Sequence, residues 1–380
     1  MGRLLSGTGR MKLTIDRNAL MRALSHVQAV VERRNTIPIL SNILMQAEGD
    51  RLMLTATDLD IEATDAAEAN VKKAGAVTAP AQTLFDVVRK LPEGSEVALD
   101  LADGRLSISA GRSKFALPTL PAADFQTMAK EAAPVKFEIA AAELRRLIDK
   151  TRFAISTEET RYYLNGIYLH HAKGAKGNVL RAVATDGHRL ALAEGEAPKG
   201  SSGLKGVIVP RKAVAEARRL LDDAPEIVTI EASDSKIVFR IGEAVLTSKL
   251  IDGSFPDYQR VIPKDNNRIM VVPTKLFKDA VDRVATVSAE RSRSVKLSLS
   301  AGRLMLAVTH SESGHGAEDI EAEYDSEPME IGFNAKYLLD VAGQIESEET
   351  RIEFNDAASP ARVIDAKDAG AEYVLMPLRV

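Results

Sequence analysis

From Met11 the sequence MKLTIDRNALMRALSHVQAVV runs as an extended apolar stretch, a polar break, then an amphipathic helix with Leu20, Leu24 and Val27 on one face. The same grammar returns from Val135 (VKFEIAAAELRRLIDKTRFAI) and from Ile269 (IMVVPTKLFKDAVDRVATVS). This is a threefold repeat with a period of roughly 125 to 130 residues, the size of an ordinary domain. Inside each third the unit appears again. VTAPAQTLFDVVRKL from Val77, VIVPRKAVAEARRLL from Val207 and EIGFNAKYLLDVAGQI from Glu330 read strand, polar or proline break, helix. After each of these helices come alternating stretches, VALDLADGRLSIS, IVTIEASDSKIVFRI and TRIEFNDAASPARVID, that predict antiparallel strands. Asp103-Gly104 and Ala301-Gly302 mark hairpins. The pattern predicts an α+β fold of six modules in three domains, at 11–128, 135–256 and 264–380, with residues 1–10 as a disordered leader.

Composition narrows the chemistry. The chain has 380 residues, 45% apolar and 27% charged, as in a globular protein. It has no cysteine, which excludes disulfides, thiolate nucleophiles and cysteine-ligated zinc and makes a reducing cytosol its natural home. No apolar run approaches the roughly 20 residues that cross a bilayer, and MGRLLSGTGR lacks the apolar core of a secretion signal. The net charge of −4 argues against a surface that is basic all round. The charge is nonetheless segregated. The six helices carry Arg17, Arg22, Arg89, Lys90, Arg145, Arg146, Lys150, Arg152, Arg211, Lys212, Arg218, Arg219, Lys275, Lys278, Arg283 and Lys336. Acids gather in strands and loops, as in HSESGHGAEDIEAEYDSE from His310. Exposed helix faces are commonly charged, but one bias on six equivalent helices points to a shared basic wall facing a polyanion, held through phosphates without reading bases.

The stretch ATDGHRLALA at 184–193 sets Asp186, His188 and Arg189 around a glycine, a grouping of the kind that active sites use. Asp-Gly is equally a turn signal, here between the strand-like NVLRAVAT and RLALAEG. With one nearby carboxylate and no second histidine at ligand spacing, the stretch does not suggest a metal site. No GxxxxGK[ST] loop and no HExxH element is present. A hydrolase using Asp186 and His188 stands as one reading, and a monomeric repeat scaffold that binds peptides without nucleic acid as another.

Seven motifs in order resemble the bacterial DNA polymerase III beta subunit family, the sliding clamps: TIPILSNILM (36–45), TRYYLNGI (160–167), ATDGHRLAL (184–192), VIVPRKAV (207–214), TSKLIDGSFPDYQRVIP (247–263), MEIGFNAKYLLDV (329–341) and YVLMPLRV (373–380). The resemblance covers Met11 to Val380. It implies three like domains in a crescent, two crescents joined head to tail, helices lining the hole and sheets outside. It also implies a non-enzymatic role in the cytoplasm with no catalytic residue, metal or cofactor. The implied partners are duplex DNA, a second copy, a clamp loader, and DNA polymerase III alpha among other proteins carrying clamp-binding peptides.

Residue by residue, the resemblance assigns a peptide groove to Leu164, Thr185, Gly187, His188, Arg189, Leu190, Pro256, Arg260 and Val261, with Asn334, Tyr337, Val374, Leu375, Met376, Pro377, Leu378 and Arg379 from the last third. Apolar walls would take aromatic and leucine side chains, and Arg189 with His188 would hydrogen-bond a ligand's polar end. DNA contact falls to Arg34, Arg161, Tyr162, Tyr163, Arg211 and Lys212. The two tyrosines are expected on a strand, one buried and one useful. The joint between copies falls to Arg105, Arg112, Lys114 and Leu117 at one end and Thr286, Val287 and Glu318, with Asp319 and Glu321, at the other. Two departures from the family pattern, Ser292 and Pro360, bear on the groove's shape and partner preference.

Overall fold

The computed structural model describes residues 10–32, 34–129, 131–175, 177–288, 294–310 and 314–379. The expected leader, apart from the exposed Arg10, lies outside the described residues, as does Ser292. Among the described residues one pattern, a strand, a helix and three strands, occurs six times. In the first third it is β1 (Met11–Asp16), α1 (Arg17–Gln28), β2 (Asn42–Glu48), β3 (Arg51–Thr57) and β4 (Ile61–Glu68). A short extra strand β5 (Asn70–Lys73) precedes β6 (Gly75–Pro80), α2 (Ala81–Lys90), β7 (Glu96–Ala102), β8 (Arg105–Ala110) and β9 (Ser113–Pro118). The middle third holds β10 (Val135–Ala140), α3 (Ala141–Thr151), β11 (Gly166–Gly174), β12 (Gly177–Thr185) and β13 (Arg189–Glu196), then β14 (Val207–Pro210), α4 (Arg211–Leu220), β15 (Ile227–Ala232), β16 (Lys236–Ile241) and β17 (Ala244–Lys249). The last holds β18 (Arg268–Pro273), α5 (Thr274–Ala285), β19 (Ser294–Ser300), β20 (Arg303–His310) and β21 (Gly314–Glu321), then β22 (Met329–Asn334), α6 (Ala335–Ala342), β23 (Glu349–Phe354), β24 (Ala361–Ile364) and β25 (Ala371–Leu375).

A break residue starts five of the six helices, α3 instead following Ala140. Asp16 accepts from the N–H groups of Asn18 and Ala19 at 2.9 Å, Asn334 accepts from Lys336 at 2.9 Å, and Pro80 and Pro273 precede α2 and α5 with φ of −57°. Behind the break the apolar spacing decides which face turns inward. Leu20, Ala23, Leu24 and Val27 of α1 are buried, and the same helix positions in α5 hold the buried Phe277, Ala280, Val281 and Val284. The expected hairpins form: Asp103 and Gly104 take φ of 50° and 72° between β7 and β8, and Gly302 takes 72° between β19 and β20.

The sheets exchange strands. Each module's first strand pairs with the triplet of the other module in its domain: β1 with β7, β6 with β2, β10 with β15, β14 with β11, β18 with β23 and β22 with β19. Two of the resulting half-sheets then fuse across β4 and β17, and two more across β13 and β25, giving two eight-stranded sheets. Several outer edges are covered by connecting segments. Leu120 bridges to Thr78 on β6, Glu323 to Val271 on β18, and Leu378 to Gly332 on β22. Among the described residues the outer edges of β9 and β21 carry no such cover.

Packing divides the chain into two compact units that cut through the middle third. The first runs to Ala142 and takes in Lys199–Gly203 and Lys212–Leu250. The second comprises Glu143–Pro198, Leu204–Arg211 and the chain from Ile251 onward. In the first unit α1 and α2 pack together over β3 and β4; in the second α5 and α6 pack together beside β20 and β21. No described helix is long and apolar enough to cross a membrane.

Candidate functional site

The β12–β13 turn is built by its own side chains. Thr185 Oγ1 donates to the Arg189 carbonyl at 2.6 Å and accepts from the Gly187 N–H at 3.1 Å. Asp186 Oδ1 accepts from the N–H groups of His188 (2.9 Å) and Arg189 (3.0 Å), and Oδ2 accepts from Arg189 Nε at 3.1 Å. Gly187 has φ of +87°, a left-handed conformation that suits glycine. The Asp186 carboxylate is thus engaged by the turn and by Arg189, and the exposed His188 ring lies 6.4 Å from Tyr337. No nucleophile and base are brought together here.

Arg189 is tied into the protein. It is only 6% exposed, and its guanidinium donates to Asp340 (2.5 Å) and to the Phe153 carbonyl (2.6 Å) while lying 4.4 Å from the Tyr337 ring centroid. With these donors turned inward it builds the floor between the turn and helix α6. Asp340 and Phe153, which sequence reasoning missed, are its partners; a charged residue at a helix position carries no signal of which turn it will anchor.

Around this floor the segment after β25 and the connection at 255–262 form an apolar shelf. The Met376 N–H donates to the His188 carbonyl at 2.9 Å and the Leu378 N–H to the Gly332 carbonyl at 2.8 Å, so the chain end runs alongside the turn. Leu190 and Val374 are buried with Val183, Leu192 and Tyr258, flanked by Tyr168, Phe255 and Ile262. Leu164 and Leu375 are also buried, and these residues support the surface from beneath. Met376 (39%) and Val261 (46%) are exposed above it, with Pro256, Arg260 and Arg379 exposed and Thr185, Asn334, Tyr337, Pro377 and Leu378 partly so. Arg260 is paired with Asp257 at 2.8 Å. Tyr168 stacks on Phe255 with ring centroids 4.9 Å apart, and the Tyr258 hydroxyl accepts from Arg181 at 2.9 Å and lies 3.0 Å from His170 Nε2. Burial holds His170 below the ordinary imidazole range. Pro360 is half-buried, its carbonyl accepting from Asn266 at 3.0 Å.

Most of the helix cations fall into two groups. Arg17 is buried and donates to the Val88 and Arg89 carbonyls at the end of α2, at 3.1 and 2.5 Å. Arg146 donates to Asp368, Glu143 and the Glu194 carbonyl, Lys150 to the Gln344 carbonyl, and Arg219 to the Ser25 and His26 carbonyls. Lys212, expected on DNA, donates to the Val30 carbonyl at 2.9 Å and to Asp58 at 2.6 Å, and bonds Glu32. Burial pushes its ammonium down, but those carboxylates outweigh it and hold the group above the ordinary lysine range. These five cations are therefore fasteners within the protein. Arg22, Arg89, Lys90, Arg152, Arg211, Lys275, Lys278, Arg283 and Lys336 remain exposed on their helices or at their ends, and Arg34 is exposed beyond α1. Arg161 donates to Glu158 and to the Asp186 carbonyl, each at 2.9 Å. Tyr162 and Tyr163 sit on a 3₁₀ turn, Glu159–Leu164, and not on the expected strand. The turn is closed by the Asn165 N–H on the Tyr162 carbonyl at 2.9 Å, and it leaves Tyr162 54% exposed with Tyr163 edge-on to it.

At the uncovered edges, Arg105, Arg112 and Lys114 are exposed and Leu117 is buried on and beside β9. Between them Phe115, missed from the sequence, sits on the sheet's inner face yet is 41% exposed. At β21, Glu318 is held by Arg283 (2.9 Å) and Asp319 by Arg303 (2.7 Å). Thr286 and Glu321 are exposed and Val287 is half-buried.

Three family profiles match the chain: DNA polymerase III beta subunit, N-terminal domain over residues 11–129, central domain over 138–257 and C-terminal domain over 259–379. The beta sliding clamp of Caulobacter vibrioides (strain NA1000 / CB15N) is 59% identical over 372 residues, 97% of this chain and 100% of that protein. That of Escherichia coli (strain K12) is 39% identical over the same shares. A crystal structure of the Caulobacter crescentus beta sliding clamp superposes with a TM-score of 0.95 at 58% identity, covering 98% of this chain and all of that one. One from Bartonella birtlesii bound to griselimycin gives 0.95 at 50%, with the same coverage.

Proposed function

The chain belongs to the DNA polymerase III beta subunit family, with three clamp domains of mixed helix and antiparallel sheet, and from that premise we propose that it is a replication processivity factor closing round duplex DNA as a head-to-tail ring of two copies. One observation carries the reading. Twice within the chain the last strand of a second module pairs with the last strand of the preceding domain's first module: β17 with β4, and β25 with β13. β9 and β21 hold the corresponding places, and among the described residues their outer edges have no strand partner. β9 of one copy therefore meets β21 of another, and doing so at both ends closes the circle. Counted from the hairpins that precede them, the Leu246–Ala63 pair of β17 and β4 corresponds to Phe115 opposite Gly316. There a glycine leaves room beside Val287, whose methyl group would lie 3.0 Å from an added Cβ. Arg105, Arg112 and Lys114 on one face, against Glu318, Asp319 and Glu321 on the other, supply opposite charge.

The ring holds DNA by enclosure. Its contacts are the exposed cations Arg34 and Arg211, together with Arg161, Tyr162 and Tyr163; the contacts are few, sequence-independent and weak enough to slide. Lys212 contributes by fixing Asp58 and Glu32. The shelf of Met376 and Val261 beside His188 and Tyr337 receives short peptides from the clamp loader, from DNA polymerase III alpha and from other partners in the cytoplasm. The test is retention. After loading by a clamp loader, the protein co-elutes with nicked circular DNA and is lost when that circle is cut to a linear form. Equal retention on both, or a chain that stays monomeric at micromolar concentration, would overturn the reading.

A further inference from the structure

At the first junction between domains the helices are joined as well as the sheets. Arg219, the ninth residue of α4, donates to the carbonyls of Ser25 and His26 near the end of α1, both at 2.8 Å. Its guanidinium is steadied by Glu216, one turn earlier, at 2.8 Å. The His26 ring in turn lies 2.6 Å from Asp65 on β4 and 3.7 Å from Asp223, just past α4.

Every element of this contact has a counterpart at the uncovered edges. Both α2 and α4 begin after a proline, Pro80 and Pro210, so Arg89 matches Arg219, Asp86 matches Glu216 and Glu93 matches Asp223. The twelve-residue helices α1 and α5 match Ser25 and His26 to Asp282 and Arg283. On the strands, Glu318 of β21 stands where Asp65 stands on β4. Both halves are already assembled in a single copy. Arg89 is held by Asp86 at 2.9 Å, as Arg219 is by Glu216, and Arg283 is held by Glu318 at 2.9 Å, as His26 is by Asp65. The difference is exposure: the Arg89 side chain is 57% exposed, against 34% for Arg219. At the second junction the helix ends also meet, with the direction reversed, for Lys150 of α3 donates to the Gln344 carbonyl beyond α6 at 2.6 Å. The matching position on α5 is Arg283, which Glu318 already engages, so the donor at the third junction must come from α2.

We propose that in the dimer Arg89 of one copy caps the end of α5 of the other, donating to the Asp282 and Arg283 carbonyls, with Glu93 set beside the Arg283 guanidinium. Those carbonyls already accept from Thr286, its Oγ1 on Asp282 at 3.3 Å and its N–H on Arg283 at 3.2 Å, and each keeps a second lone pair for a cation placed at the negative end of the helix. The inference rests on the head-to-tail reading above, and the experiment separates the two. Sedimentation equilibrium over a dilution series gives the dimer dissociation constant. Arg89→Ala raises it about tenfold, which is ~1.4 kcal/mol. Lys90→Ala, which removes the neighbouring exposed cation, changes it by less than about threefold. Arg89→Lys keeps the charge without the two-pronged donor and recovers only part of the loss, guarding against a variant that fails to fold. A wild-type dimer that Arg89→Ala leaves equally tight would overturn the cap and leave the ring standing. Equal weakening by Arg89→Ala and Lys90→Ala would also overturn it, in favour of bulk charge. A wild-type chain that never dimerises overturns both.

Discussion

His188 and Arg189 are neighbours with opposite fates. Arg189 is buried and ties together Asp186, Asp340, Phe153 and the Tyr337 ring, whereas His188 stands exposed over the shelf. Arg189→Ala leaves two carboxylates without their cation and is expected to destabilise the protein by about 3 kcal/mol, measured by urea denaturation. His188→Ala is expected to change stability by less than about 0.5 kcal/mol while weakening peptide binding. The two effects being equal would refute this division. The sequence could not supply it, because a DGHR turn looks the same whichever side chain folds back. The turn itself was legible, and its chemistry recurs. Thr57 and Asp58 make the same four bonds around Leu59 in the first domain, where Leu59 takes φ of 78° without being glycine.

Helix starts and strand alternation were readable because they depend on local periods and on the breaks at Asp16, Pro80, Pro210, Pro273 and Asn334. The strand exchange between modules was not, since no local pattern tells β1 to pair with β7. Nor does periodicity reveal connections such as the one between α6 and β23, which hangs on Asp365. Burial alone would push this fully buried carboxyl up. The N–H groups of Glu346 (2.6 Å), Lys367 (3.0 Å) and Ser347 (3.2 Å) outweigh it and hold it below the ordinary carboxylate range. A depressed folded-state pKa adds stability that is present above the unfolded value, near 4, and is lost as the pH falls through the lower folded value. Asp365→Asn is therefore expected to cost about 1–3 kcal/mol at neutral pH, with the gap to wild type narrowing below about pH 4. A gap that stayed constant from pH 7 to pH 3 in thermal melts would rule this out.

For the whole molecule, net charge hides the distribution that matters. An acidic total of −4 coexists with exposed helix cations, but the sequence-level basic wall is thinner than its count suggests because Arg17, Arg146, Lys150, Lys212 and Arg219 fasten the protein internally. Phe115 is the reverse case, an apolar ring on an inner face left uncovered in one copy. Phe115→Ser is expected to shift sizing chromatography from dimer toward monomer while leaving the monomer's own melting nearly unchanged; an undiminished dimer would count against the joint. The fusion of β4 with β17 and of β13 with β25 carries a further consequence. Repetition and cohesion follow different lines here: the thirds can be traced along the chain, yet the packing cuts through the middle one. Severing the chain at the repeat boundaries would strip β4 and β13 of their neighbours, so an excised third should surface as a sticky, aggregation-prone fragment even though its own sequence is complete.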